Sequence, residues 1–249
     1  IGGSTLGHRD TSLEDLVAIQ QRGVRPVVVH GGGAEITRWL SSLGLKSSFV
    51  DGLSVTGEEE LQVVAAVLSG LVNKTLVLEL VSRGARAVGL SGVDAGLVRA
   101  AVSRPALGFV GEIETVDPSL IESLLHKGYL PVISPVSWGT AGDRPSLLNV
   151  NADDVAAEIA VALSASSLVF LTDVPGIFDG EGSLVAHADA THVERMISSG
   201  AIKGGMVPKA RACIRASRSV ARTRIIDGTA AHALLREFEP NPGGTTIVR

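Results

Sequence analysis

Lys209 lies four residues beyond the pair Gly204-Gly205, where a helical run begins. A cation in the first turn of a helix opposes the helix dipole, so the placement is costly unless the ammonium reaches an anion held on the same glycines. Positioned cations of this kind carry much of phosphoryl transfer, because the transferring group is heavily charged. A second stretch, Asn149-Val150-Asn151-Ala152-Asp153-Asp154, leads into an apolar helix. Asp153 or Asp154 can serve simply as its N-cap. Alternatively, Asn149 offers an amide to a small substrate while Asp153 holds cationic side chains in place, as supporting carboxylates do.

Glycine turns supply the rest. Five stand at strand-like ends: Gly2-Gly3-Ser4, Gly31-Gly32-Gly33 after His30, and residues 89–94, 172–176 and 203–206. One such turn is explained by backbone geometry alone. Five along the carboxyl rim of a parallel sheet point to an anionic, phosphate-bearing ligand on backbone N–H groups and helix N-termini. No Walker A loop is present, and the G-x-G-x-x-G fingerprint is broken by Ile36, which disfavours a nicotinamide-dependent dehydrogenase. The six histidines show no metal spacing, so no metal ligand is assigned. His30, ending an apolar strand, reads as a hydrogen-bonded structural histidine. No G-x-S-x-G elbow occurs.

Alternating strands and helices must position these residues. Helices are expected over 11–21 (with a Thr11-x-x-Glu14 capping box), 34–43, 58–68, 73–83, 118–127, 153–163, 189–198, 208–221 and 232–237. Strands are expected over 26–30, 87–90, 129–134, 168–172, 223–227 and 245–249, with extended chain at 47–56 and two strands around Pro105. This order predicts an α/β fold with an open, mainly parallel sheet covered on both faces. A soft boundary falls near residue 165, dividing 1–164 from 165–249.

Composition limits the partners. The chain has 249 residues, 45% hydrophobic and 3% aromatic, with a net charge of −4 and no basic run. Nucleic acid and a membrane surface are therefore disfavoured. One cysteine, Cys213, rules out an internal disulfide and suits a reducing, cytoplasmic setting. The apolar run at 155–171 reads as a helix followed by a strand, since Glu158 and three serines interrupt it.

The ordered set IGGS, VVVHGGGAEI, FVDGLSVT, LSGLVNK, AVGLSGVD, LPVISPV, NVNADDVAAEIA, LTDVPGI, IKGGMVPK and GTTIV resembles the amino acid kinase family from end to end, most closely its members acting on N-acetylglutamate in arginine biosynthesis. The resemblance implies a three-layer αβα sandwich whose N-terminal lobe (1–164) binds the amino-acid substrate and dimerises, and whose C-terminal lobe (165–249) binds ATP. It implies transfer of the γ-phosphoryl of ATP, carried with Mg2+, to a side-chain carboxylate. Gly31 and Gly32 would then hold the phosphoryl and the carboxylate, with Asn149 on the substrate. Asp153 would organise catalytic lysines, and Lys209 would neutralise charge. Gly2, Gly3, Asp173, Val174, Gly176, Ile177, Phe178, Ala201, Ile202 and Lys203 would line the nucleotide site.

Two departures accompany the resemblance. The family carries a lysine just ahead of the position of Ile1, and an arginine where this chain has Ser54. That arginine grips a substrate carboxylate, and losing such a charge-assisted pair costs about 1.5–3 kcal/mol. Ser54 thus leaves open a related kinase for carrier-linked glutamate or aminoadipate, or a weakened homologue that only binds its ligands. Arg38 and Lys46 are too few to make the basic surface expected with a carrier. An arginine-insensitive homodimer is expected.

Overall fold

A computed structural model of the chain describes residues 1–2, 11–45, 48–50, 53–102, 104–240 and 242–249; at 48–50 and 53–54 it describes the backbone alone. The first half contains α1 (Ser12–Gln21), β1 (Val28–Val29), α2 (Gly33–Ser42), β2 (Ser48–Val50), β3 (Leu53–Val55) and α3 (Glu58–Ala65). A π-helical segment at Ala66–Val72 joins α3 to α4 (Asn73–Ser82). β4 (Ala87–Ser91), β5 (Val98–Ala101), β6 (Val110–Val116), α5 (Ser119–His126) and β7 (Leu130–Ser134) follow. Then come β8 (Val136–Ala141), β9 (Arg144–Val150) and α6 (Ala152–Ala162). The remainder is β10 (Ser167–Thr172), β11 (His187–Asp189), α7 (Ala190–Ser198), α8 (Met206–Ala216), β12 (Arg222–Asp227), α9 (Ala233–Arg236) and β13 (Thr245–Val248).

The described strands form two main sheets. One is parallel, in the order β1-β7-β4. The other runs β10-β12-β13-β11, parallel except between β12 and β13. Strands β5, β6, β9 and β8 close a small barrel, and β2 pairs with β3 as a hairpin.

Alternation along each strand builds the layers, since successive side chains point to opposite faces. Val28, Leu130 and Val132 pack with Leu16 and Val17 of α1 and Leu76 and Leu80 of α4. Ile133, with Val27 and Val29, packs against Ile121 of α5 and Val155 and Ile159 of α6. In the second sheet Leu168, Phe170 and Ile225 face α6, α7 and α8, while Leu171 and Ile226 face Ala233 of α9. Helix α6 serves both halves: Val155 and Ile159 belong to one core, Ala157 and Ala160 to the other. The α/β architecture with helices on both faces agrees with the sequence expectation.

Three local expectations are corrected. Thr11 does not form its capping box; its Oγ1 accepts a hydrogen bond from the His232 N–H at 2.6 Å, tying α1 to α9. The helices expected over 58–68 and 73–83 are one stretch, because the π segment carries the chain across Gly70. Strands β8 and β9, unforeseen between 136 and 150, supply half of the barrel.

Candidate active site

Two helices bring the central pair together. The alanines of α6 (Ala157, Ala160) and α8 (Ala210, Ala212, Ala216) share one core, and side chains this small let the two axes approach closely. Their first turns therefore lie side by side, and Lys209 Nζ donates to both oxygens of Asp153, at 2.8 and 3.0 Å. Both side chains are mostly but not wholly covered, 22% and 15% exposed. Arg215 of α8 pairs with Asp154 of α6 and, at 3.7 Å, with Glu158, fixing the register of the two helices. Burial raises the Asp154 carboxyl above its ordinary range, and the Arg215 guanidinium opposes that shift. Beneath the pair, Cys213 is fully buried, and loss of hydration pushes its thiol up, so it stays neutral.

Neither aspartate caps α6. Asn151 does so: its Oδ1 accepts from the N–H groups of Asp153, at 2.8 Å, and Asp154, at 3.2 Å. This leaves both carboxylates free for the cations of α8.

A cavity of about 1070 Å³ joins this pair to the glycine turn after β1; Gly2, Gly31, Gly32, Gly33, Asn151, Asp153 and Lys209 all line it. Helix α2 begins at Gly33 and α6 at Ala152, so two positive helix ends meet the same space. Gly32 also permits a close approach, since a β-carbon there would lie 2.7 Å from Leu68 Cδ2 of the π segment. The Gly31 N–H donates to the Ile1 carbonyl at 3.0 Å, which sets Ile1 alongside β1.

The remaining expected residues lie elsewhere. Asn149, on β9, is not among the residues lining the cavity; its Nδ2 donates to Thr56 Oγ1 at 3.0 Å. Thr56 is buried and follows the hairpin that carries Ser54, so the two expected substrate residues are linked through it. Ser54 pairs with Phe49 across that hairpin, and its side chain lies outside the described part. Gly3 lies outside the described residues. Asp173, Val174, Gly176, Ile177 and Phe178 form the loop after β10; the Ile177 N–H donates to Thr245 Oγ1 at 2.8 Å. Ala201, Ile202 and Lys203 lead into α8. Ile177 and Ile202 are packed in a single core cluster, so both loops rest on the same base, and these two residues offer a ligand only main chain. Asp173 and Lys203 are exposed.

Sequence reasoning missed Asn151, Thr56 and Asn73. The pattern Asn151-x-Asp153-Asp154 before a helix carried the cap signal for Asn151; Thr56 lies in FVDGLSVT and Asn73 in LSGLVNK, motifs that gave neither residue a partner.

The pattern of the Amino acid kinase family matches residues 1–227. An acetylglutamate kinase of Dehalococcoides mccartyi is 43% identical over 252 residues, covering 100% of this chain and 92% of the relative. One from Carboxydothermus hydrogenoformans is 45% identical, covering 96% of this chain and 86% of its own length. The crystal structure of smu.665 from Streptococcus mutans superposes with TM-score 0.85 at 26% identity, covering 100% of this chain and 96% of that one. Carbamate kinase from Giardia lamblia bound to AMP-PNP shares the fold, with TM-score 0.70 at 15% identity and coverage of 96% and 88%. A cation and carboxylate at paired helix ends, a glycine turn facing them and a family match over residues 1–227 lead to one conclusion: the chain belongs to the amino acid kinase family.

Proposed function

We propose that the protein transfers the γ-phosphoryl group of ATP to the side-chain carboxylate of N-acetyl-L-glutamate, giving N-acetylglutamyl 5-phosphate for arginine biosynthesis. The observation that carries the reading is Lys209, held on Asp153 beside Gly31 and Gly32 in one cavity. The reaction brings two anions together, so it needs donors and cations more than covalent chemistry. In this reading the glycine N–H groups hold the phosphoryl and acceptor carboxylate, and Lys209 offsets charge as the phosphoryl moves. Mg2+ then enters on the nucleotide phosphates, as the resemblance to the family implies. The halves on either side of residue 165 each own a main sheet, which supports a substrate lobe and an ATP lobe joined by α6. A cytoplasmic setting and a homodimer belong to the same proposal.

A coupled ADP-release assay of the full-length protein with MgATP tests it. Turnover is expected with N-acetylglutamate and not with glutamate. Turnover with free glutamate, or nucleotide binding without turnover, would overturn it. Ser54 favours one second reading, a homologue with weakened substrate binding. Ser54→Arg should then tighten N-acetylglutamate binding by one to two decades, the worth of a charge-assisted pair. An unchanged KM would mean that another group grips that carboxylate.

A further inference from the structure

His30 and Asn73 are fully buried beside the glycine turn, and neither has a part in the chemistry above. Asn73 opens α4 directly after the π segment, whose Leu68 and Val72 press on Gly32. Its side-chain orientation is fixed by its neighbours. Lys74 Nζ donates to Asn73 Oδ1 at 3.3 Å, while Asn73 Nδ2 faces the carbonyls of Val132, at 2.9 Å, and Leu90, at 3.3 Å. Nδ2 also lies 3.1 Å from His30 Nε2. An amide nitrogen can only donate, so Nε2 must be the accepting, unprotonated nitrogen. The imidazole proton therefore sits on Nδ1, which donates to the Gly31 carbonyl at 2.9 Å.

That bond fixes a peptide plane. In a trans peptide the N–H points opposite to the preceding C=O. With the Gly31 carbonyl held toward His30, the Gly32 N–H is turned the other way, away from His30, and Gly32 itself lines the cavity. We propose that His30 and Asn73 are positioning residues: Asn73 selects the Nδ1–H tautomer of His30, and His30 aims the Gly32 N–H at an anionic oxygen of the transferring phosphoryl group. The inference rests on the phosphotransferase reading above. The charged side chain bonded to the network is the Lys74 ammonium.

The test has two arms. Imidazole nitrogen NMR of the wild-type protein, which needs no turnover, should show the proton on Nδ1, and the Gly32 amide should shift on addition of MgATP. A proton on Nε2, or an unmoved Gly32 amide, would overturn the proposal even if the enzyme turns over N-acetylglutamate. Asn73→Asp replaces the donor by a carboxylate, which forces the proton of a neutral imidazole onto Nε2 and sets Nδ1 against the Gly31 carbonyl. At pH 8 kcat should fall about 10- to 100-fold, the usual scale for an orienting partner, with KM for ATP changed much less. It should recover as pH falls toward 6, because the introduced carboxylate raises the imidazole pKa above its wild-type value of about 4, and an imidazolium donates from both nitrogens. Wild-type kcat at pH 8, or a loss that does not vary with pH, would overturn it. If that variant does not fold, the wild-type tautomer and the Gly32 shift decide alone. Absence of any wild-type turnover would strike the reaction reading, while the same two spectra still judge the geometry.

Discussion

An ammonium has three N–H donors, and Asp153 engages Lys209 through both carboxylate oxygens, at 2.8 and 3.0 Å. A donor is left for a phosphoryl oxygen while the carboxylate holds the lysine in place. Removing the side chain should therefore act on the transition state more than on ground-state binding. Lys209→Ala should lower kcat by about two decades or more in the ADP-release assay, the scale of a lost transition-state donor. An effect confined to KM would refute the role. His30 makes a different kind of prediction. Burial lowers its pKa from 6.5 to about 4, so the folded state holds a neutral imidazole while the unfolded chain takes up a proton from pH 6.5 downward. The stabilisation is fully present above pH 6.5 and is lost as pH falls through about 4. Between pH 7 and 4 the wild-type protein should lose about 3 kcal/mol more than His30→Asn, whose amide stays uncharged. Urea titrations across that range measure the difference, and parallel losses would show that His30 is charged in the fold.

The helix ends place these groups, and the cap of α6 is the most exacting of them. Asn151 accepts from two backbone N–H groups and so fixes where Asp153 leaves the helix. Asn151→Ala should cost about 1 kcal/mol of stability and also lower kcat, whereas Asn151→Asp should restore both, since it caps equally well. Thermal melting paired with turnover checks this; a stability loss with full kcat would separate the cap from the chemistry. Much at this scale was legible in the sequence. Lys209 stood out because a cation in the first turn of a helix opposes its dipole, Asp153 because it stands in the run 149–154 before an apolar helix, and the alternating apolar runs located most strands and helices. The hairpin β8–β9 was not legible, because its strands are covered through barrel closure rather than by an alternation of their own. Gly139, for example, abuts the Ala100 backbone so closely that no side chain fits. The π segment was hidden for a related reason: residues 69–72 fell between two expected helical runs, whereas the backbone stays helical over Ala66–Val72 and Ser69 bonds to Ser134, 2.7 Å between hydroxyls. Asn73 and Thr56 owe their roles to partners distant in sequence, His30 and Asn149, which no local pattern reveals.

Across the whole molecule, α6 belongs to both cores and its N-terminus lies at the cavity, so the site stands where the two sheets meet. The opposite requirement, covering apolar surface, falls on the 25-residue stretch Glu58–Ser82. It is long and apolar enough to cross a membrane, yet its inner side is packed into the fold through Leu76 and Leu80, and Asn73 is bonded to a histidine. Its outer side shows Leu71 (41% exposed), Leu78 (65%) and Val81 (50%), and Trp39 (39%) on α2 and Leu43 (58%) just after it stand exposed. Trp39, Leu43 and Leu71 line a shared groove with Gln62, Val63 and Val67. An apolar strip of this kind, left in water, favours association, and a second copy of the chain would cover it symmetrically. The full-length protein should therefore sediment as a dimer at micromolar concentration, and Leu78→Glu combined with Val81→Glu should shift it to a monomer, because two charges would be buried against their own symmetry mates. Sedimentation velocity reads both states. A wild-type monomer would refute the arrangement, and a dimer that survives both glutamates would place the interface on another face. Co-sedimentation of the wild-type monomer with phospholipid vesicles would assign the strip to a lipid surface instead.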